Sequence, residues 1–158
     1  MDIVDASTRS KQMSGIRSID TAPDLLIRSM LHKAGFRFRL HTITLPGKPD
    51  LWLARYRAVI EVNGCFWHGH GHGCHLYKLP ATRTEFWQAK ISANSNRDSR
   101  HLAELKLLGI RRLIVWECAL KGRYRHDPER LLEVIAWWLT SYCESAEIAG
   151  GSELIISH

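Results

Sequence analysis

Apolar residues at Leu26, Ile27, Met30 and Leu31 recur at helical spacing, with Asp20-Thr21 ahead of them and Gly35 behind. Thr21 and Asp24 stand at a capping-box spacing, Asp replacing the usual Glu, and Pro23 falls in the first turn. Phe36 to Leu40 then alternates as a half-buried strand does. The turn Leu45-Pro46-Gly47-Lys48-Pro49 delivers Asp50 to a second strand over 51–54, and Arg57 to Asn63 predicts a third, ended by Gly64. A helical pattern runs from Thr84 through Lys90 and again from about Asn94 to Leu108, where Gly109 stops it. A short apolar strand follows at 112–116. Asp127-Pro128 caps a last helix carrying Leu131, Leu132, Ile135 and Trp138 on one face.

The crossover from Asn63 to Leu113 is long enough to make those two strands parallel. The expected class is therefore α/β, a mixed central sheet flanked by helices. A polar, basic arm over 1–19 precedes one domain over 20–142, and a flexible tail is expected over 143–158.

Composition narrows the function classes. The 158 residues are 45% hydrophobic and 24% charged, which excludes general disorder and collagen-like sequence. No apolar run approaches the roughly 18 residues of a membrane span. The first residues carry no hydrophobic leader, so the expected location is cytoplasmic. A net charge of +6 suits a polyanionic partner, and six tryptophans leave some for stacking on bases.

Two sets of residues point to metal chemistry. Asp50 opens one strand and Glu61 lies on the next, so both carboxylates could meet a hard cation such as Mg²⁺ at one end of the sheet. Pro-Asp, a spacer, then Glu-x-Lys is the pattern of a large nuclease class, with Asn63 here in place of the Lys. Cys65, Cys74 and Cys118 with one histidine of the Gly-His loop make an S₃N set suited to a structural Zn²⁺. Cys143 fits an unliganded thiol better.

The strings Asn63-Gly64-Cys65-Phe66-Trp67-His68-Gly69-His70, Pro80-Ala81-Thr82-Arg83-Thr84-Glu85-Phe86-Trp87, Asn94, Arg97-Asp98 and Trp116-Glu117-Cys118 resemble the very short patch repair (Vsr) endonucleases. Thr8-Arg9-Ser10-Lys11-Gln12-Met13 and Leu45 to Asp50 match the same family in the same order, so the likeness covers about residues 5–140. It implies a restriction-endonuclease-like fold of PD-(D/E)xK type with a structural zinc. The implied activity is Mg²⁺-dependent nicking of one DNA strand, 5′ to the thymine of T:G mismatches left by deamination of 5-methylcytosine. It further implies a bacterial, nucleoid-associated monomer, linked functionally to a DNA cytosine methyltransferase and to downstream repair proteins.

The resemblance also implies roles. Asp50 becomes the metal-binding carboxylate, His68 the general base or proton shuttle, and Asp98 its companion. Cys65, Cys74 and Cys118 become zinc ligands. The fourth ligand is His70 counting forward from Trp67-His68, and His72 counting back from Cys74; the anchored side of the loop favours His70. Phe66, Trp67 and Trp87 become wedges beside the mismatch, with Met13 pressing from the arm. Arg9, Lys11, Lys48, Arg83 and Asn94 are the remaining DNA-contact candidates. Departures are Glu61, where the family has an aromatic residue, and Val62, which replaces Thr and can serve Mg²⁺ through its backbone carbonyl. Asp24 stands where the family has a catalytic-site Glu, and reads equally as a helix cap. The rival readings are a zinc-stabilised DNA-binding module without hydrolysis and a restriction nuclease cutting both strands.

Overall fold

The computed structural model describes residues 20–71 and 73–151. The arm over 1–19, with Arg9, Lys11 and Met13, lies outside them, as does His72. Helix α1 spans Ala22–Lys33. Its capping box is formed: the Thr21 hydroxyl accepts from the Asp24 N–H (3.4 Å), and the Asp24 carboxylate accepts from the Thr21 N–H (3.0 Å). Strands β1 (Arg39–Leu40), β2 (Leu51–Leu53) and β3 (Ala58–Asn63) follow. Then come helix α2 (Thr84–Leu107), β4 (Arg111–Trp116), α3 (Pro128–Thr140) and β5 (Ser145–Ile148).

The sheet order is β1-β2-β3-β4-β5. The first three strands are antiparallel neighbours, and β3-β4 and β4-β5 are parallel, as the long α2 and α3 crossovers require. Alternation on the strands sorts the two faces. Ala58, Ile60, Leu113, Val115, Ala146 and Ile148 face α1 and α3, where Ile27, Leu31, Leu131, Ile135 and Trp138 complete the core. On the other face Val59 packs with Leu105 of α2 and with Ile110. Arg111 ties α3 to the sheet: its guanidinium donates to the carbonyls of Trp138 (2.9 Å), Leu139 (2.7 Å) and Tyr56 (3.0 Å), taking up helix-end acceptors.

Three expectations need correction. The alternating run from Phe36 pairs only at 39–40, because β2 offers just three residues and Leu51 and Trp52 are the partners. The helical patterns at 84–90 and 94–108 are one helix, since nothing between them breaks it and Asn94 spends its side chain outside the helix. The tail over 143–158 is not loose at 145–148: Ala146 and Ile148 are buried as the fifth strand on β4.

Candidate active site and metal cluster

Asp50 stands just before β2, beside the part of β3 that runs on past the Leu51–Ile60 pair. Its Oδ2 accepts the Val62 N–H at 2.7 Å, a position beyond the last β2-β3 pair. Burial foremost, then the charges of Asp24 and Glu61, push Asp50 up to about 7 against the Val62 N–H and Arg28. Glu61 is itself paired: its Oε2 lies 2.8 Å from Arg112 Nε and 2.7 Å from Nη2. Asp50 and Asp24 remain as carboxylates lining one cleft, with the His41 ring beside them (Nδ1 3.9 Å from Asp50 Oδ1), a donor set that fits Mg²⁺.

Across the cleft, the loop after β3 meets α2. His68 Nδ1 lies 2.7 Å from Asp98 Oδ2. An ionised carboxylate only accepts, so Nδ1 carries the proton and Nε2 is left for other partners. Asn94 is buried on α2 and donates Nδ2 to the Trp67 carbonyl at 2.8 Å, pinning the loop beside His68. Gly69 has φ +62, and a Cβ there would meet Ile91 Cγ2 at 2.6 Å, so only glycine permits this close seat on α2. One cleft of about 690 Å³ is lined by Asp24, Lys48, Asp50, Glu61, Asn63, His68 and Asp98 among others. Among the described residues Asn63 Nδ2 is buried there without a hydrogen-bond partner.

On the far side of the same loop, ligand atoms of Cys65, His70, Cys74 and Cys118 all lie within 4.8 Å of one another. Cys118 is drawn down to about 4, chiefly by hydrogen bonding with the Cys65 thiol, then with His70 and the Gly150 N–H. The same bond and burial push Cys65 up. His70 stacks on Trp116 (4.1 Å between centroids, 10° between planes), which fixes its ring with Nδ1 3.5 Å from Cys118 Sγ. Three sulfurs, one of them already thiolate-like, and one oriented imidazole fit a tetrahedral Zn²⁺.

The aromatic residues form one cluster. Phe66, Trp67 and Trp87 meet at centroid distances of 5.0–5.8 Å, and Phe86 joins Trp87 at 5.0 Å. Trp67 is 8% exposed and backs the cluster, whereas Phe86 stands 43% exposed. Arg83 lies over Phe86 at 4.2 Å.

The predicted Asp50, His68, Asp98, Asp24 and Lys48 thus come together at the cleft. Glu61 and Asn94 line the same cleft with their side chains engaged, Glu61 with Arg112 and Asn94 with the Trp67 carbonyl. Phe86, Lys90 and Arg112 were missed. Lys90 Nζ lies 5.7–6.0 Å from three rings of the cluster, and His101 lines the cleft against Gly47. Lys90 stands at i+3 and i+4 from Trp87 and Phe86, a helical signal that was available.

Residues 1–75 match the profile of the DNA mismatch endonuclease Vsr family. The chain is 47% identical over 147 residues to the DNA mismatch endonuclease Vsr of Escherichia coli K12, covering 93% of each protein. It is 44% identical over 135 residues to the type II nicking enzyme V.XorIIP of Xanthomonas oryzae pv. oryzae, covering 80% of this chain and 98% of that one. A third relative, the type II nicking enzyme V.NmeAIP of Neisseria meningitidis serogroup A, is 40% identical over 122 residues, 77% of this chain and 86% of its own. The mixed sheet with carboxylates at the β2-β3 end is thus the restriction-endonuclease-like fold of a DNA endonuclease. The chain belongs to the DNA mismatch endonuclease Vsr family.

Proposed function

We propose that this endonuclease nicks DNA on the thymine-bearing strand of T:G mismatches, immediately 5′ to that thymine. The observation that carries the reading is the meeting, in one cleft, of the Asp50 carboxylate, the His68–Asp98 pair and Phe66 and Trp67, which pack on Trp87 behind them. Asp50 and the Val62 carbonyl would hold Mg²⁺, with Asp24 beside them. Bound there, the ion would polarise the phosphodiester and lower the pKa of a water. His68, oriented by Asp98 through Nδ1, presents Nε2 to move a proton. Water attacks phosphorus, the bond to the 3′ oxygen breaks and that oxygen takes up a proton, leaving a 5′ phosphate and a 3′ hydroxyl. The unpartnered Asn63 amide suits a phosphate oxygen as acceptor.

Cys65, His70, Cys74 and Cys118 would hold Zn²⁺, and so tie down the loop carrying His68. Phe66, Trp67 and Trp87 enter the stack beside the mismatch, helped by Met13. A T:G wobble stacks poorly, so opening its steps costs less than opening matched ones. Arg9, Lys11, Lys48 and Arg83 position the backbone. The protein acts as a monomer on nucleoid DNA in the bacterial cytoplasm, alongside a DNA cytosine methyltransferase and repair proteins that complete the patch. Among the described residues no helix is long and apolar enough to cross a membrane.

Duplexes labelled separately on each strand, carrying T:G, other mismatches or none, test this with Mg²⁺. The expected product is a single cut 5′ to the mismatched thymine, abolished by EDTA. Equal cutting of both strands, or full activity in EDTA, would sink the reading. Tight binding with no cleavage would favour the binding module instead.

A further inference from the structure

We propose that the buried Glu61–Arg112 ion pair is a strut that sets the position of the His68–Asp98 pair, and that Glu61 is a positioning residue and not a metal ligand. The inference rests on the functional reading above, in which His68 moves the proton.

Arg112 is 3% exposed and Glu61 8%. They come from neighbouring strands, β4 and β3, and point to the face covered by α2. Arg112 Nε donates to Glu61 Oε2 at 2.8 Å and Nη2 lies 2.7 Å from the same oxygen as an ion pair, while Nη1 reaches across to donate to the Asp98 carbonyl on α2 at 3.0 Å. A buried ion pair is weak evidence for stability, because desolvation offsets most of the Coulomb gain. The bond to the Asp98 carbonyl shows what this one does. Between Asn94 and Leu105 no α2 residue is buried, and the helix stands off from β4 and β5 over a cavity of about 240 Å³. Asp98 sits in that stretch, three residues after Ser95, whose Oγ donates to the His68 carbonyl at 3.4 Å. Among the described residues Arg112 makes the hydrogen bond that ties the Asp98 backbone to the sheet, and Glu61 holds Arg112 in the geometry that does so. The chain of contacts runs Glu61, Arg112, Asp98 backbone, Asp98 carboxylate, His68. Each link is within 3.0 Å.

The test uses the zinc-loaded full chain. Arg112→Met alone strands the Glu61 charge and lowers stability, so the informative variant is Glu61→Leu combined with Arg112→Met, which replaces the pair by apolar volume. It should fold with its zinc and bind T:G duplex with unchanged affinity, yet lose kcat on the order of 10- to 100-fold, the usual cost of misplacing a reacting group. Arg112→Lys, one ammonium that cannot serve both partners, should lose less in the same direction. In proton NMR the downfield Nδ1–H signal of His68 should weaken in both variants. Unchanged kcat and an unchanged His68 signal in the double variant would overturn the proposal. So would full recovery of the double variant by raised Mg²⁺, which would make Glu61 a metal ligand. If the wild type nicks no mismatch, the functional reading fails, and the DNA-free His68 signal still decides the strut.

Discussion

At Asp50 the fold places a carboxylate where burial and two acidic neighbours favour the protonated form, moving it from 3.8 to about 7. The folded state therefore binds the proton more tightly than the unfolded chain, and metal-free stability falls as pH rises from 3.8 to about 7. Asp50→Asn keeps an acceptor for the Val62 N–H and removes the charge. In EDTA at pH 8 it should stabilise the protein by on the order of 2–4 kcal/mol, a gain that vanishes near pH 4. Added Mg²⁺ should raise the Tm of the wild type and leave the variant unmoved, while the variant loses cleavage. Thermal melts across pH, with and without Mg²⁺, check both; equal melting of the two proteins at pH 8 would contradict the electrostatic account. Asp50 was readable from sequence because Pro49-Asp50 at a strand start is a local signal. The partner of Glu61 was not, because Arg112 lies 51 residues away and meets it only through the parallel β3-β4 pairing.

The elements that carry the site differ in how they are held. Strands β3 and β4 stand on apolar burial, and their patterns were legible for that reason. Strand β5 was missed because Ser145-Ala146-Glu147-Ile148 buries only two side chains and runs straight into Gly150-Gly151. The loop between β3 and α2 has no regular secondary structure of its own and depends on the Cys/His cluster and on Asn94. His70→Ala and Cys74→Ser should therefore lose zinc and stability together, by several kcal/mol or about 10 °C in Tm. His68→Ala, whose ring faces Asp98 and not the sulfurs, should keep zinc and Tm and lose nicking. Zinc content by atomic absorption beside a melt checks this. Full zinc in His70→Ala would transfer the ligand role to His72, and zinc loss in His68→Ala would overturn the division between the histidines.

Across the whole molecule two kinds of force meet the DNA, and salt separates them. The excess of cations, +6 over the chain, is blind to base identity and acts by releasing counterions, so affinity for any duplex should fall steeply with salt. The Phe66-Trp67-Trp87-Phe86 cluster is uncharged, and stacking is worth about 1–3 kcal/mol per base. Discrimination between T:G and matched DNA should therefore stay nearly constant from low to high salt while both affinities drop in parallel. Trp87→Ala should collapse that ratio with the salt slope unchanged. Lys48→Ala should do the reverse, lowering the slope by about one contact's worth and sparing the ratio. Trp67→Ala should act more broadly, because its buried ring supports Phe66 and Trp87 from beneath, and so should cost Tm as well as discrimination. Binding isotherms for both duplexes at several salt concentrations measure all of these. A ratio that decays with salt as fast as affinity does would place mismatch selection in the charged contacts, and the aromatic cluster would then be core alone.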